Sequence, residues 1–102
     1  MELEWSQKAL KDLEKLQKRD QRYIIDSSSQ KLSSNPLDQP KVSLISRENL
    51  QLFRLKLDGK DLNHRVFFDI SEGKTVKVIG VFHRDEAYTD SSIRQLEKRK
   101  KD

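Results

Sequence analysis

The chain contains no cysteine, which excludes disulfides and thiolate metal sites and suits a reducing interior. Long hydrophobic runs are missing too. The apolar stretch from Val78 to Phe82, broken by Gly80, falls far short of a bilayer span or a signal-peptide core. The expectation is a soluble, cytoplasmic protein without membrane contact. Hydrophobic residues supply 33% of the chain against 37% charged, so the core must be thin and its apolar residues gathered on a few faces. A length of 102 residues leaves room for one domain and none for a separate cofactor-binding unit. That domain is expected over residues 1–97, with 98–102 as a basic tail. Neither an internal repeat nor a low-complexity segment appears.

What the chain has in excess is positive charge. Lys and Arg number 21 against 17 Asp and Glu, a formal charge of +4, with a pI near 9.4. That balance favours an acidic partner, nucleic acid or acidic protein, without choosing between them.

Met1 to Trp5 alternates apolar and acidic residues, as a short strand with one buried face does. Ser6 is placed to cap a helix in which Ala9, Leu10, Leu13 and Leu16 recur at three and four. Asp20 is placed to cap a second helix, with Ile24, Ile25, Ser28 and Leu32 on the same spacing, stopped at Asn35-Pro36. Leu37 to Asn49 has weak periodicity and reads as a connecting loop with a short extended piece at Val42 to Ile45. The period then changes to two. Leu52 to Leu57, Asn63 to Ile70 and Thr75 to Phe82 read as strands, joined by turns at Asp58 to Asp61 and Ser71 to Lys74. Thr89 or Asp90 caps a last short helix carrying Ile93 and Leu96, and Lys98 to Lys101 reads as a solvated, frayed end. The expected fold class is α+β. An N-terminal strand and a helical hairpin pack on a mainly antiparallel four-stranded sheet, a short C-terminal helix follows, and the opposite sheet face stays open.

Alternation sorts the strand residues between faces. Phe53, Leu55 and Leu57 point one way and Arg54 and Lys56 the other. On the next strand Val66, Phe68 and Ile70 suit the core, which leaves Arg65, Phe67 and Asp69 on the open side. Cations beside an aromatic ring are what recognition of single-stranded RNA uses, charge for phosphate and ring for a base. The plainer reading is that an exposed basic sheet face discourages edge pairing and keeps the protein soluble. Pattern alone leaves both open.

A strand ending in His83-Arg84, with Tyr88 four residues on, resembles the C-terminal signature of the RelE/ParE superfamily of bacterial toxins. So do the opening strand with WSQKALKDLEKL, the Asn35-Pro36 exit from the second helix, and FRLKL followed by HRVFFDI. The resemblance covers about residues 1–90 and rests on order and spacing rather than on any single motif. It implies a compact α+β toxin of a type II toxin-antitoxin system. RelE-like members cut messenger RNA, usually in the ribosomal decoding site, whereas the ParE-like branch poisons DNA gyrase. Both are neutralised by a cognate antitoxin whose segment wraps the toxin, which implies a heterotetramer or larger toxin-antitoxin complex. Carried onto this sequence, the RelE pattern puts the basic pair of the second strand on Arg54 and Lys56, the central arginine of the third on Arg65, the arginine after the fourth on Arg84, and the near-terminal tyrosine on Tyr88. The turn from Asp58 to Leu62 is longer and more acidic than in the shortest family versions. The Arg84 to Tyr88 spacing is tighter than in some ribosome-dependent members.

The chemistry asked of such a site is specific. RNA carries its own nucleophile, the 2′-OH, so cleavage needs in-line positioning, a base, charge stabilisation on phosphate and an acid for the leaving 5′ oxygen, with no obligatory metal or cofactor. The candidate catalytic residues are Lys56, Arg65, Arg84 and Tyr88. Lys56 serves as base or phosphate clamp, according to how closely Arg54 and Arg65 crowd it. Arg65 and Arg84 clamp phosphate through planar forks, and Tyr88 stacks, orients the nucleophile or exchanges a proton. Arg54, Phe67 and His83 are the candidate RNA-binding residues, although an imidazole at a strand end is as readily structural. His64 and His83 lack metal-ligand spacing. Asp85 and Glu86 suit a solvated turn, Asp69 suits pairing with an arginine on its face, and Trp5 suits core packing. Messenger RNA and the ribosome are the partners beside the antitoxin. The alternatives are a ParE-like gyrase inhibitor without nuclease activity, and an inactive fold that pairs with an antitoxin on an operator.

Overall fold

The computed structural model describes residues 2–47, 50–59, 62–71 and 75–101. The order is β1 (Glu2–Trp5), α1 (Gln7–Glu14), α2 (Lys18–Leu32), a 3-10 turn (Pro36–Asp38), β2 (Val42–Arg47), β3 (Leu50–Asp58), β4 (Asn63–Ser71), β5 (Thr75–His83) and α3 (Asp90–Lys101). Ser6 caps α1 as expected, its Oγ accepting from the Ala9 N–H at 3.1 Å. Asp20 does not cap α2. The helix begins at Lys18 with Gln17 at the cap position, and Asp20 sits in the first turn, where a carboxylate meets the positive end of the helix. The exit from α2 turns on Asn35, whose φ of 46° is left-handed and suits asparagine, before Pro36 opens the 3-10 turn.

The sheet has five strands in the order β1-β5-β4-β3-β2, parallel between β1 and β5 and antiparallel elsewhere. The extra strand over the four expected is β2. Its weak alternation reads as a loop with a short extended piece. Pairing along β3 from Val42↔Leu55 to Arg47↔Leu50 supplies the backbone hydrogen bonds that its own pattern does not announce. The turn expected over Ser71 to Lys74 lies mostly outside the described residues, as do Lys60 and Asp61 of the turn after Asp58. That hairpin is closed from its ends by Gly59 N–H donating to the Leu62 carbonyl at 2.6 Å.

One sheet face carries the expected core: Ala9, Leu13, Ile24 and Leu32 of the helical hairpin pack on Leu55, Leu57, Val66, Phe68, Val76, Val78 and Val81, with Trp5 and Phe53 at the margin. The opposite face is not open, which corrects the expectation. Leu50, Leu52, Phe67, Ile79 and Phe82 form a second cluster there with Ala87 and Leu96, and Ile93 packs against it. Register explains how Ile79 joins this face. The β4–β5 pairing steps from Phe67↔Gly80 to Phe68↔Val78, so Ile79 is passed over in a bulge. Gly80 then lets α3 lie close, since a Cβ there would stand 2.9 Å from Leu96 Cδ2 and 3.0 Å from Arg99 Nη1. Each Leu or Phe buried this way contributes roughly 1.5–3 kcal/mol, enough to hold a short helix that could not stand alone.

The basic run Lys98 to Lys101 is helical rather than frayed. Arg99 lies three residues beyond Leu96 on the same stripe of α3, and its guanidinium reaches Asp12 of α1 at 2.7 and 3.2 Å. Asp12 also accepts from the Val81 N–H at 2.9 Å, and Arg99 donates to the Ile79 carbonyl at 3.0 Å. β1 pairs with β5 only as far as Val78. Asp12 and Arg99 therefore serve the strand edge that β1 leaves uncovered, one as acceptor and one as donor. On the same helix Lys100 donates to the Gln51 carbonyl, and its Nζ lies 3.8 Å from Asp69 Oδ2. Asp69 is thus paired with a lysine, not with an arginine of its own strands.

Candidate functional site

α3 covers only part of the second sheet face. Along β3 the residues on that side run Leu50, Leu52, Arg54, Lys56, Asp58; the first two lie in the cluster with Leu96 and the last three beyond it. Strand register brings β4 alongside, with Arg54 opposite Phe67 and Lys56 opposite Arg65. The sequence-predicted cations Arg54, Lys56 and Arg65 are therefore neighbours on one patch where helical cover ends.

Each of them has a defined partner. Arg54 donates through Nη1 to the Tyr88 hydroxyl at 2.6 Å and through Nη2 to Ser43 Oγ of β2 at 3.0 Å, while its Nε is buried without a partner. Tyr88 is 36% exposed, and its ring stands edge-on to Phe67 at 6.2 Å. Phe67 itself is fully buried and also meets Phe82 edge-on at 5.9 Å. The structure thus corrects the placement of Phe67 on an open face: its ring is spent on packing and on bracing Tyr88, because α3 and the turn before it close over that column. Arg65 is only 6% exposed. Its Nη1 donates to Asp58 Oδ1 at 2.8 Å and to the His64 carbonyl at 3.1 Å, and its Nε has no partner among the described residues. Lys56 Nζ lies 3.6 Å from Asp58 Oδ2.

Asp58 was missed by reasoning from cations alone, yet its signal is in the sequence: it continues the alternation Arg54, Lys56, Asp58 on one face. Lys56 is not simply crowded by like charge, since Asp58 stands between it and Arg65. Hydrogen bonding from Arg65 holds the Asp58 carboxyl below the usual carboxylate range, with the charges of Arg65 and Lys56 adding to the effect and desolvation opposing it. Ser43 carries no such signal, because the weak alternation of β2 does not mark it as a strand.

Arg84 and His83 stand apart. Arg84 follows β5, its N–H donating to the Asn63 carbonyl at 2.9 Å, and its exposed side chain lies 3.7 Å from Asp85. His83 pairs with His64 across the strands, the rings edge-on at 5.4 Å. Both line a cleft of about 330 Å³ with Asp12, Lys15, Leu16 and Glu86. Thr89, Ser92 and Gln95 line it from the α3 side, and alternation puts His83 on the face of Val81, which packs with the helical hairpin, so His83 is not brought to Arg54 and Lys56. The Nδ1 of His83 accepts from the Asp85 N–H at 3.1 Å. His64 is buried with its Nδ1 unpartnered, and burial pushes its imidazole below the ordinary value of 6.5, with neighbouring His83 contributing. Among the described residues no cluster of histidines and carboxylates could hold a metal ion.

A family model described as ParE toxin of the type II toxin-antitoxin system parDE matches residues 3–88. The chain belongs to the RelE/ParE family of type II toxins. The match spans β1 to Tyr88 and stops before α3. Solved RelE structures share the fold. A chain of the toxin-antitoxin complex RelBE2 from Mycobacterium tuberculosis superposes with a TM-score of 0.68 at 24% identity, over 81% of this chain and 96% of that one. An E. coli toxin RelE mutant in the free state gives 0.67 at 21% identity over 96% and 95%. The archaeal RelE-RelB complex from Pyrococcus horikoshii gives 0.61 at 21% over 81% and 93%. No curated protein sequence matches the chain. As a type II toxin the protein has an antitoxin for its partner, and among the described residues no helix is long and apolar enough to cross a membrane.

Proposed function

We propose that this toxin is a metal-independent endoribonuclease that cleaves messenger RNA on the ribosome in the cytoplasm, with the site on the uncovered patch of the second sheet face. The observation that carries this reading is the neighbourhood of Arg54, Lys56, Arg65 and the Tyr88 hydroxyl, four side chains from three segments on one surface. Arg65 clamps the scissile phosphate from a nearly buried position, where a guanidinium keeps its charge and its field is screened least. Lys56, its side chain 40% exposed, meets the same phosphate from the adjoining strand as an ammonium or, in its neutral amine form, takes the 2′-OH proton. Tyr88, its hydroxyl accepting from Arg54, offers an oriented O–H and an exposed ring edge for an adjacent base. Arg84, on the exposed turn after β5 and 3.7 Å from Asp85, is assigned to the leaving-group side. The bound antitoxin is an acidic segment ordering on this surface.

A second reading has its own support: the family model that matches is ParE, and all three strand cations already have internal partners. A gyrase inhibitor acting through protein contacts would leave Lys56 and Arg84 dispensable. Primer extension on cellular messages after induction separates the two. Lys56→Ala and Arg84→Ala, both at exposed side chains, should cut cleavage by about a hundredfold while the protein stays folded. Unchanged cutting in both variants removes the catalytic assignment. No cutting in wild type, with gyrase-linked DNA breaks instead, moves the protein to the ParE reading.

A further inference from the structure

We propose that Asp58 is a resident counter-ion of the cationic patch, one that substrate phosphate displaces. It thereby determines that the patch takes a phosphodiester chain able to meet Arg65 and Lys56 together rather than small anions. The inference rests on the RNA reading above and assigns to it a residue that the basic pattern does not reveal. Asp58 closes β3 at the point where the strand gives way to the turn, and its side chain is 36% exposed. Its carboxylate lies against the two cations that the cleavage chemistry needs for phosphate.

The hold is incomplete in a way that a phosphate would improve. Arg65 gives Asp58 a single N–H, at 2.8 Å, and leaves its buried Nε with no acceptor among the described residues. Lys56 stands 3.6 Å away, outside hydrogen-bond distance. Among the described residues the Asn63 amide is a further neighbour, its nitrogen, turned toward Asp58, reaching Oδ1 at 3.2 Å. Two non-bridging phosphate oxygens can meet the Nη1 and Nη2 of one guanidinium side by side, taking the Nη1 that Asp58 holds, while one also meets an ammonium. A partly exposed carboxylate pair is weak and can swing into solvent. Because Arg65 keeps Asp58 ionised at neutral pH, the competitor is present whenever RNA arrives. A small anion gains too little to displace it, whereas a chain engaging Arg54, Arg84 and Tyr88 as well recovers the loss elsewhere.

The test is binding of a 2′-O-methyl RNA oligonucleotide, which cannot be cleaved, to the full chain, with inorganic phosphate as competitor. Asp58→Asn keeps an oxygen for Arg65 and should bind the oligonucleotide on the order of tenfold tighter at low salt, the worth of one freed charge-assisted hydrogen bond. Its salt dependence should steepen by about one phosphate contact, and inorganic phosphate should compete at lower concentration than in wild type. In wild type, the Asp58 carboxyl carbon and the Arg65 Nε–H should shift together in NMR spectra as RNA is added, a readout independent of how the variant folds. Equal or weaker binding by Asp58→Asn while Lys56→Ala weakens binding makes Asp58 a positioning residue for Arg65 and overturns the proposal, leaving the RNA reading intact. An unmoved Asp58 carboxyl in RNA-saturated wild type overturns it as well. If neither variant alters binding, the RNA reading falls and the proposal with it.

Discussion

The two faces of this sheet solve different problems with the same strands. Under the helical hairpin β3 presents Phe53, Leu55 and Leu57 to the core, and Leu55, Val66, Phe68, Val76 and Val78 are fully buried. Across the sheet the column on β3 changes character midway, from Leu50 and Leu52 beneath α3 to Arg54, Lys56 and Asp58 beyond it. Continuous cover needs continuous apolarity; a helix of 12 residues covers half a face and leaves the other half for charge. The difference also explains the clasp between Asp12 and Arg99. The second face has few apolar residues to hold α3, and a nearly buried ion pair to α1, shared with the open edge of β5, ties the helix down.

The sharpest way to break this comparison is to cut that clasp. Asp12→Ala strands a guanidinium that is 11% exposed and orphans the Val81 N–H, so a loss of about 3–5 kcal/mol is expected from urea denaturation with an unchanged slope. A loss below about 1 kcal/mol would mean the pair behaves like a surface bridge and α3 is held by packing alone. Next in size, Leu96→Ala and Leu32→Ala remove side chains of equal burial from the two faces. Each should cost about 2–5 kcal/mol. Native-state hydrogen exchange should show α3 opening first in the Leu96 variant, whereas the Leu32 variant should lower the protection of β3 to β5. Identical exchange patterns would make the two clusters one cooperative core.

In the charged half the expected effects are kinetic. Tyr88→Phe removes the hydroxyl that accepts from Arg54 and keeps the ring against Phe67, so cleavage should fall about tenfold with stability nearly unchanged. Tyr88→Ala should fall further, and equal loss in both would assign the whole effect to the hydroxyl. The smallest effect concerns His64, on the helical-hairpin side. Its folded-state value lies below the ordinary 6.5, so its unfolded form binds the proton more readily. The stability it contributes is full above that ordinary value and is lost as pH falls through the folded value. A denaturation midpoint that drops between pH 7.5 and 5.5 in wild type, and drops less in His64→Gln, is the expected outcome; parallel curves would place the acid sensitivity elsewhere.

Much of this was legible without coordinates. Strict alternation over Leu52 to Leu57 and Asn63 to Ile70 placed Arg54, Lys56 and Arg65 on one side, and Ser6 announced the start of α1. Both are local consequences, since alternation follows from the pleat and a cap from its own next turn. The burial of Phe67 and Arg65 was not legible, because alternation says which face a residue takes and nothing about what lies over that face.

By itself, then, the sequence determined the succession of elements, the sidedness of each strand, the net positive charge and the spacing that marks the family, all of which depend on residues a few positions apart. Only the tertiary structure decided the pairing of β2 with β3, the return of α3 over Gly80, the meeting of Arg99 with Asp12 across 87 positions, and the seat of Asp58 between Lys56 and Arg65. Most of these join groups distant in the chain, and the choice among possible partners is made by which arrangement buries the most apolar surface while leaving no charge unanswered, a property of the whole fold and not of any window of sequence.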